Sequence, residues 1–318
     1  MGKGKKYLFD LNVAPEALFE TNAKEFYTKA LLEQRSTSHF RQLLNVKEKT
    51  KIGSLDFVAP LQEAGCDFTA TDANLGQKPM EPCKLGIGVE LCQYDIESSF
   101  LVERMKAGSS AVDFMPADFA THYYNELARA VSDNLEILTW QGDTTGDVNV
   151  IGNLVLCDGL HRKLGIANIP VSQRIAGTTI NSANVIAEME KVFNARPNRI
   201  KRKKQQTKWF VSSNVAEAYA LAVAQQSNEA YTTKDEDLRF VGIQLVVGEG
   251  MADNTMTLSL ESNYIFLADL LSDQEDLTTI NMKATTGDRK IRSISDFKFG
   301  VDYLNDDEWV TYGIPAIP

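Results

Sequence analysis

Residues 116–138 carry the strongest structural signal in the chain and read Pro-Ala-Asp-Phe-Ala-Thr-His-Tyr-Tyr-Asn-Glu-Leu-Ala-Arg-Ala-Val-Ser-Asp-Asn-Leu-Glu-Ile-Leu. Pro116 suits the first position of a helix, where its missing N–H costs no hydrogen bond. Apolar side chains then recur at spacings of three and four, at Phe119, Tyr123, Leu127, Ala130, Val131, Leu135 and Leu138. This spacing predicts one amphipathic helix of roughly 34 Å that ends at Gly142.

The residues after this helix alternate between helix and strand patterns. A helix is predicted after Asn181 or Ser182, a strand over 208–212, and a second helix from Asn214, where Glu217 completes a capping box. Residues 238–247 predict one central strand. From residue 255 onward the chain predicts strands over 256–260, 277–282, 291–301 and 309–312. The predicted class is therefore α+β.

The residues before the long helix lack the apolar content of a core. Residues 1–51 carry ten Lys and Arg against six Asp and Glu, with only a thin apolar stripe, which is typical of an arm that lies on other structure. Strands are predicted over 52–58 and 85–92, with the turn-rich segment 65–76 between them. We expect these two strands to pair as a long protruding hairpin, which would be marginally stable on its own.

Composition and charge exclude several classes of protein. With 318 residues, 43 % hydrophobic and 24 % charged, the chain is globular, and no apolar run is long enough to cross a membrane. No secretory signal is recognisable. The net charge of −10 repels nucleic acid as a whole, so tight sequence-reading DNA binding is not expected.

Candidate catalytic and metal-binding residues do not form a complete set. Cys157 and His161 lie four residues apart, but two ligands do not hold zinc, and no third group is suggested for a Cys–His nucleophile. We therefore expect a buried thiol and a surface or core imidazole. The other histidines are His39 and His122. The cysteines, none of them in a C-x-x-C pair, are expected to be reduced, and they are Cys66, Cys83, Cys92 and Cys157.

Phosphate and cation motifs are equally incomplete. Gly86-Ile-Gly88 is not a nucleotide-binding fingerprint. The acidic residues Asp269, Asp273, Glu275 and Asp276 do not follow calcium-loop spacing, and they are expected to form a solvated loop. We predict no catalytic, cofactor-binding or metal site and no cofactor. A basic run over 196–208 holds Arg196, Arg199, Lys201, Arg202, Lys203, Lys204 and Lys208. It is either a solvated loop tip or a patch that faces phosphate or acidic groups.

The order of these pieces resembles a known family. A basic arm and an extended hairpin precede Asp95-Ile-Glu-Ser-Ser-Phe100, which leads into the long helix and its end at Asn134-Leu-Glu-Ile-Leu-Thr-Trp-Gln-Gly-Asp143. The second half adds Trp209-Phe-Val-Ser-Ser213, the strand over 238–247 with Gly250-Met-Ala-Asp-Asn254, and Asn263-Tyr-Ile-Phe-Leu-Ala-Asp-Leu-Leu-Ser-Asp273. Over most of residues 50–313 this pattern resembles the major capsid proteins of tailed bacteriophages, which have the Hong Kong 97-type fold.

The resemblance implies a division of the chain. The N-terminal arm would be residues 1–49 and the extended loop 50–93. A peripheral domain with the long "spine" helix would combine 94–144 with the strands of 276–305. An axial domain would span 145–275, and the C-terminal strand of 306–318 would return to it.

The resemblance also implies a function without catalysis. Such proteins form hexamers and pentamers of an icosahedral shell around double-stranded DNA, which is contacted non-specifically, in a virion assembled in the host cytoplasm. Residues 1–49 are too short to include a fused scaffolding segment, so we expect a separate scaffolding protein, besides portal and decoration proteins. No membrane is involved. The alternatives are an encapsulin-type nanocompartment, a small α/β hydrolase using Cys157 and His161, and a nucleic-acid-binding module using the basic run over 196–208.

Overall fold

The computed structural model describes residues 36–44, 46, 48–57, 73–92, 116–226, 238–269, 278–282, 286–288 and 290–317. The helices are α1 (Pro116–Gln141), α2 (Val148–Ile151), α3 (Leu160–Ile166), α4 (Val185–Asn194), α5 (Asn198–Arg202) and α6 (Ser213–Gln226). The strands are β1 (Arg41–Leu44), β2 (Thr50–Phe57), β3 (Ala73–Met80), β4 (Cys83–Cys92), β5 (Arg174–Ile175), β6 (Thr207–Ser212), β7 (Arg239–Phe240), β8 (Ile243–Gly248), β9 (Met256–Leu260), β10 (Tyr264–Asp269), β11 (Thr278–Asn281), β12 (Lys290–Tyr303) and β13 (Val310–Tyr312).

The long helix predicted from the apolar spacing is present as α1 and runs three residues further than the predicted stripe. Leu135 and Leu138 are buried, and Leu127 and Val131 are partly buried against the same core. Ala130 is exposed, so it is not part of the buried face. The helix instead buries Tyr124 and Ala128, together with Trp140 in its last turn.

The first sheet has five strands, and β12 holds it together. β12 pairs antiparallel with β4 over its residues 290–299, with β11 near its start and with β10 near its end. β1 adds to β10 in parallel. The buried side of this sheet faces α1, with Phe266, Phe299 and Val301 among the fully buried side chains.

The second sheet has six strands in the order β5-β13-β9-β6-β8-β7. α4 and α6 cover it with small and β-branched side chains such as Val185, Val192 and Ala222, which pack against Trp209 and Leu258 in the sheet. The last strand, β13, lies between β5 and β9, so residues 310–312 form an inner strand of this sheet, next to its edge.

An aromatic cluster joins the two sheets and α1. The ring of Phe210 from β6 lies 5.2 Å from that of Trp140 and 4.7 Å from that of Tyr264. Phe40 packs edge-on against Trp140 and Phe210, and Trp309 packs edge-on against Tyr264 at 4.6 Å. Trp140, Phe210, Tyr264 and Trp309 have no exposed surface, so elements far apart in sequence share one core.

The strand pairing predicted for the hairpin is wrong. β2 pairs with β3, from Thr50↔Met80 to Phe57↔Ala73, and not with the predicted strand over 85–92, which is β4 in the first sheet. β3 reads Ala-Asn-Leu-Gly-Gln-Lys-Pro-Met, a composition depleted in strand formers. Its strand conformation comes from the backbone ladder to β2, which side-chain pattern does not reveal.

Two further differences concern the arm and the central strand. Of the predicted arm over 1–49, residues 1–35 lie outside the described residues, whereas Phe40 and Val46 are buried in the subunit's own cores. The single strand predicted over 238–247 is a tight hairpin, in which Val241 and Gly242 both have positive φ. Positive φ at both central residues is the geometry of the commonest two-residue hairpin turn.

The buried face of α1 generates a stability prediction. Leu135 is 4 % exposed and Ile137, on the same helix, is 39 % exposed. Leu135→Asp places an unpaired carboxylate in the core and is expected to cost several kcal/mol, comparable with total stability. We expect the variant to lose cooperative thermal unfolding by circular dichroism, whereas Ile137→Asp keeps a folded subunit. Melting of Leu135→Asp at the wild-type temperature would contradict the packing described here.

Candidate functional site

The structure removes Cys157 and His161 as a catalytic pair. The Cys157 sulfur is bonded to that of Cys83, so it is not a free nucleophile. His161 packs its ring 5.6 Å from that of Trp140, and its Nε2 is closed off from solvent without a hydrogen-bond partner. Burial lowers the pKa of His161 from 6.5 to about 4, so the imidazole is neutral at physiological pH.

The prediction of reduced cysteines is wrong for this pair. Cys83 begins β4, and Cys157 follows the 3-10 helix Gly152–Leu156. Their separation of 74 residues hides the pair in the sequence, but the fold brings the two Cα atoms to 5.8 Å, within the range that a disulfide spans. The bond ties the long strand pair β4–β12 to the segment that leaves α1.

The remaining candidate residues do not converge. His39 lies in the 3-10 helix Thr37–His39 with its ring 6.3 Å from that of Phe210, and His122 lies in α1. Asp269 is buried at the end of β10, whereas Asp273, Glu275 and Asp276 lie outside the described residues. Across the described part of the chain, no group of three or more His, Cys, Asp or Glu could hold a metal ion. No helix within those residues is long and apolar enough to span a membrane.

One open cleft lies between the end of α1 and the C-terminal residues, lined in part by Gln141, His161, Arg162 and Ile314. Its charged groups pair with each other, because Arg162 Nε lies 3.3 Å from Asp143 Oδ1. Hydrogen bonds from Thr145 lower the pKa of Asp143, which keeps it an acceptor for its own loop. The cleft therefore presents no activated nucleophile or base.

The base of the β2–β3 hairpin is fixed by a buried carboxylate that the sequence analysis missed. Asp302 on β12 lies 3.0 Å from Lys78 Nζ through one oxygen and 3.0 Å from Lys163 Nζ through the other. Lys78 also lies over the ring of Tyr303, and burial lowers its pKa. The carboxylate thus links β3, β12 and α3.

Apolar contacts complete this base. Met80, the last residue of β3, has no exposed surface and packs with Val46, Ile265 and Leu267. Further from the base, β2 and β3 form a sheet of two strands. Two strands by themselves are marginally stable in water. No third strand in the described part of the chain pairs with this hairpin.

The structure also shows an exposed apolar segment that follows α1. Val148 is 58 % exposed, Val150 79 % and Leu156 53 %. Ile151 and Leu154, between them, are only partly buried. Clustered apolar exposure of this kind is typical of contact surfaces with another protein.

A buried polar network attaches the start of the described chain to α1. The Ser36 hydroxyl donates to Glu136 Oε1, and Trp140 Nε1 donates to the Ser36 hydroxyl at 3.0 Å. Glu136 is 6 % exposed, and burial raises its pKa while the donors from Ser36 and Trp140 partly offset this rise. Like-charge repulsion from Glu249 also raises the pKa of Glu136.

The basic residues of 196–208 fall into two sets in the structure. Arg196, Arg199 and Lys208 contact the body of the subunit, whereas residues 201–204 are exposed. The predicted loop contains the short helix α5 and the 3-10 helix Lys204–Gln206.

Comparison with known proteins identifies the fold. No family model and no curated protein matches the sequence. A chain in the satellite phage P4 procapsid, whose structure includes the size determination (Sid) protein, aligns with a TM-score of 0.57 at 10 % identity, over 94 % of this chain and 99 % of that chain. The capsid of an empty GTA particle aligns at 0.53 and 12 % identity, over 91 % and 90 %. A chain of Gordonia phage Cozz aligns at 0.51 and 10 % identity, over 88 % and 85 %.

The matches run almost from end to end in both directions, so they concern the whole fold and not one domain. The chain has the fold of phage capsid proteins, and the predicted α+β class and Hong Kong 97-type fold are confirmed.

The disulfide generates a redox prediction. Cys83→Ser removes a cross-link between residues 74 apart, which is expected to cost about 4 kcal/mol. We expect a lower melting temperature than wild type without reductant and little difference after full reduction of both proteins. Cys92→Ser is the matched control, because Cys92 is a free, partly exposed thiol on the same strand. Equal melting of Cys83→Ser and wild type under oxidising conditions would rule out the bond.

Glu136 generates a pH prediction. Its pKa is raised in the folded state, so its favourable contribution is complete below about the ordinary value of 4.5 and is lost as pH rises through the raised pKa. The melting temperature of Glu136→Gln, relative to wild type, should therefore increase between about pH 4 and pH 8. Glu126→Gln, at an exposed position of α1, is the matched control. A difference for Glu136→Gln that does not change with pH would contradict the burial effect.

Proposed function

We propose that this chain is a major capsid protein whose copies assemble into hexamers and pentamers of an icosahedral shell around double-stranded DNA. The observation that carries the proposal is the end-to-end likeness to a chain of the P4 procapsid, over 94 % of this chain and 99 % of that one. A particle built from many copies needs surfaces that are incomplete in the single subunit.

Two features of the subunit support self-assembly. The β2–β3 hairpin is attached at its base through Met80 and Lys78, but its far half has no third strand among the described residues. The apolar segment over 148–156 exposes Val148, Val150 and Leu156. Both would gain packing from a neighbouring copy, and buried apolar surface is the main favourable term in association.

The division of the subunit belongs to the same proposal. In this division α1, β11 and β12 would belong to the peripheral domain over 94–144 and 276–305, and β6, β8 and β9 with α4 and α6 to the axial domain over 145–275. The pairing of β10 with β12 favours counting 264–269 with the peripheral sheet instead of the axial domain. The pairing of β13 with β9 supports a C-terminal segment over 306–318 that returns to the axial domain. The pairing of β4 with β12 favours counting 83–92 with the peripheral sheet instead of the extended loop over 50–93.

The role we propose is structural and not enzymatic, and the chain would reside in the virion capsid. The partners are further copies of the chain, a separate scaffolding protein, and portal and decoration proteins. Packaged DNA would be contacted without sequence preference. An acidic subunit, with a net charge of −10, keeps most of a shell wall from binding DNA tightly.

The test is assembly of the expressed full-length chain, alone and with neighbouring gene products. We expect capsomer-sized oligomers or closed particles by sedimentation and electron microscopy. A stable monomer at every concentration, salt and scaffold condition would refute the proposal. Particles that hold enzyme cargo in place of nucleic acid would indicate a nanocompartment shell.

A variant of the β2–β3 hairpin tests assembly separately from folding. Replacing residues 60–70 by a short Gly-Ser linker keeps β2 and β3 whole, and loop shortening changes closure entropy by only about 1 kcal/mol. We expect a folded subunit with near-wild-type melting and a large loss of particles. Leu135→Asp serves as the unfolded reference. Normal particle yield from the linker variant would show that this part of the hairpin does not join subunits.

A further inference from the structure

The basic run over 196–208 contains seven Lys and Arg and no Asp or Glu, in a chain whose net charge is −10. Like charges this close repel each other, and the repulsion is relieved only by a partner of opposite charge or by solvent. The structure separates the basic side chains that the subunit itself engages from those that remain available.

Three of the seven basic side chains serve the subunit itself. The Arg196 guanidinium lies over the Phe193 ring, and Arg196 is 9 % exposed. Arg199 Nε lies 2.6 Å from Oε1 of Glu308, a carboxylate whose pKa is raised mainly by burial. Lys208 Nζ donates to Gln244 Oε1 at 3.1 Å.

The other four, Lys201, Arg202, Lys203 and Lys204, are all exposed and form no ion pair within the described part of the chain. Among them, Lys203 interacts electrostatically with Glu308, which is already paired with Arg199. The four residues, which we call the basic surface, therefore carry four exposed charges without an ion-pair partner in the described part of the chain.

The backbone that carries the basic surface is held firmly. Ile200 has no exposed surface and inserts into the core beneath the second sheet. The N–H of Lys203 donates to the Ile200 carbonyl at 3.1 Å, and Thr207 Oγ1 donates to the Lys203 carbonyl at 3.0 Å. Anchors before and after the four residues thus hold their backbone in one place, which reduces the backbone entropy lost on binding.

We propose that the basic surface binds the phosphate backbone of double-stranded nucleic acid without sequence preference. A duplex carries one negative charge per about 1.7 Å, which matches an uninterrupted block of cations. Gln205 and Gln206, also exposed, add amide donors beside them. Residues 196–208 contain no aromatic side chain that could stack on unpaired bases, so a duplex is favoured over a single strand.

A protein partner fits this surface less well. Residues 201–206 contain no apolar or aromatic residue. Lysine, which makes up three of the four basic residues, is depleted at the centres of protein interfaces, where Trp, Tyr and Arg dominate the binding energy. This inference rests on the proposed function for the source of the duplex, but its chemistry can be tested on the subunit alone.

The experiment measures binding of the full-length protein to a labelled 20-base-pair duplex by fluorescence anisotropy as a function of salt. The variant replaces Lys201, Arg202, Lys203 and Lys204 with Gln. The control replaces Lys49, Lys51, Lys84 and Arg129 with Gln, which are equally exposed basic residues without a described ion pair. Both variants change the net charge by the same amount, so a general charge effect would weaken binding equally. Circular dichroism confirms that both fold.

For four phosphate contacts, the plot of log affinity against log salt should be shallower in the variant by about 3.6, since each contact contributes roughly 0.9. Between about 50 and 200 mM salt, wild type should then lose on the order of 100-fold more affinity than the variant. The control should keep the wild-type slope, and a second duplex of unrelated sequence should bind wild type equally well.

Equal slopes for the variant and wild type would overturn the proposal, and so would an equal loss in the control. An unchanged slope together with lost oligomers in the variant would identify the basic surface as a contact between subunits. A wild-type protein that never assembles but binds the duplex with the expected slope would sustain this inference while refuting the shell role.

Discussion

Burial of one aromatic cluster is the constraint on which the rest of the structure depends. Trp140 ends the long helix, Phe210 lies in the second sheet, Tyr264 lies in the first sheet, and Phe40 comes from the segment before β1; their rings meet at 4.7 to 5.9 Å. Since each large ring removes much apolar area from water, their joint burial sets how α1 and the two sheets lie against one another. The buried Glu136–Ser36 contact sits beside this cluster and fixes the point at which the chain enters the core.

The long strand β12 connects this core to the hairpin that we propose to contact neighbouring subunits. Its pairing with β4 over ten residues carries the disulfide end at Cys83, and its Asp302 neutralises Lys78 at the base of the hairpin. Removing one partner of a buried ion pair leaves an uncompensated charge, so this base is costly to detach. Beyond this base, β2 and β3 pair with no third strand among the described residues. A two-stranded sheet with an anchored base is the arrangement expected of the proposed element that completes itself on another subunit.

The electrostatic contrast in the molecule is between an overall net charge of −10 and one exposed basic surface. An acidic protein does not hold a polyanion over its whole surface, so contact with packaged DNA would be confined to local patches. The basic surface over 201–204 is the patch that we propose for this contact, because its side chains are exposed whereas Arg196, Arg199 and Lys208 contact Phe193, Glu308 and Gln244. The likeness in fold supports the proposed shell role, and the local charge, an independent observation, supports the proposed contact with a duplex.

The sequence by itself determined the elements whose signal is local. The apolar spacing of Leu127, Leu135 and Leu138 predicted α1, and strand-forming runs predicted β6, β9 and β12, because backbone propensity and amphipathic period act over a few residues. The order of these elements along the chain was then enough to identify the fold. Only the tertiary structure decided which strands pair, that Cys83 and Cys157 meet, that Asp302 lies between two lysines, and which basic residues of 196–208 are already paired. These are contacts between residues far apart in sequence. Their energy depends on distance in space and on burial, and neither quantity is contained in the local pattern of side chains.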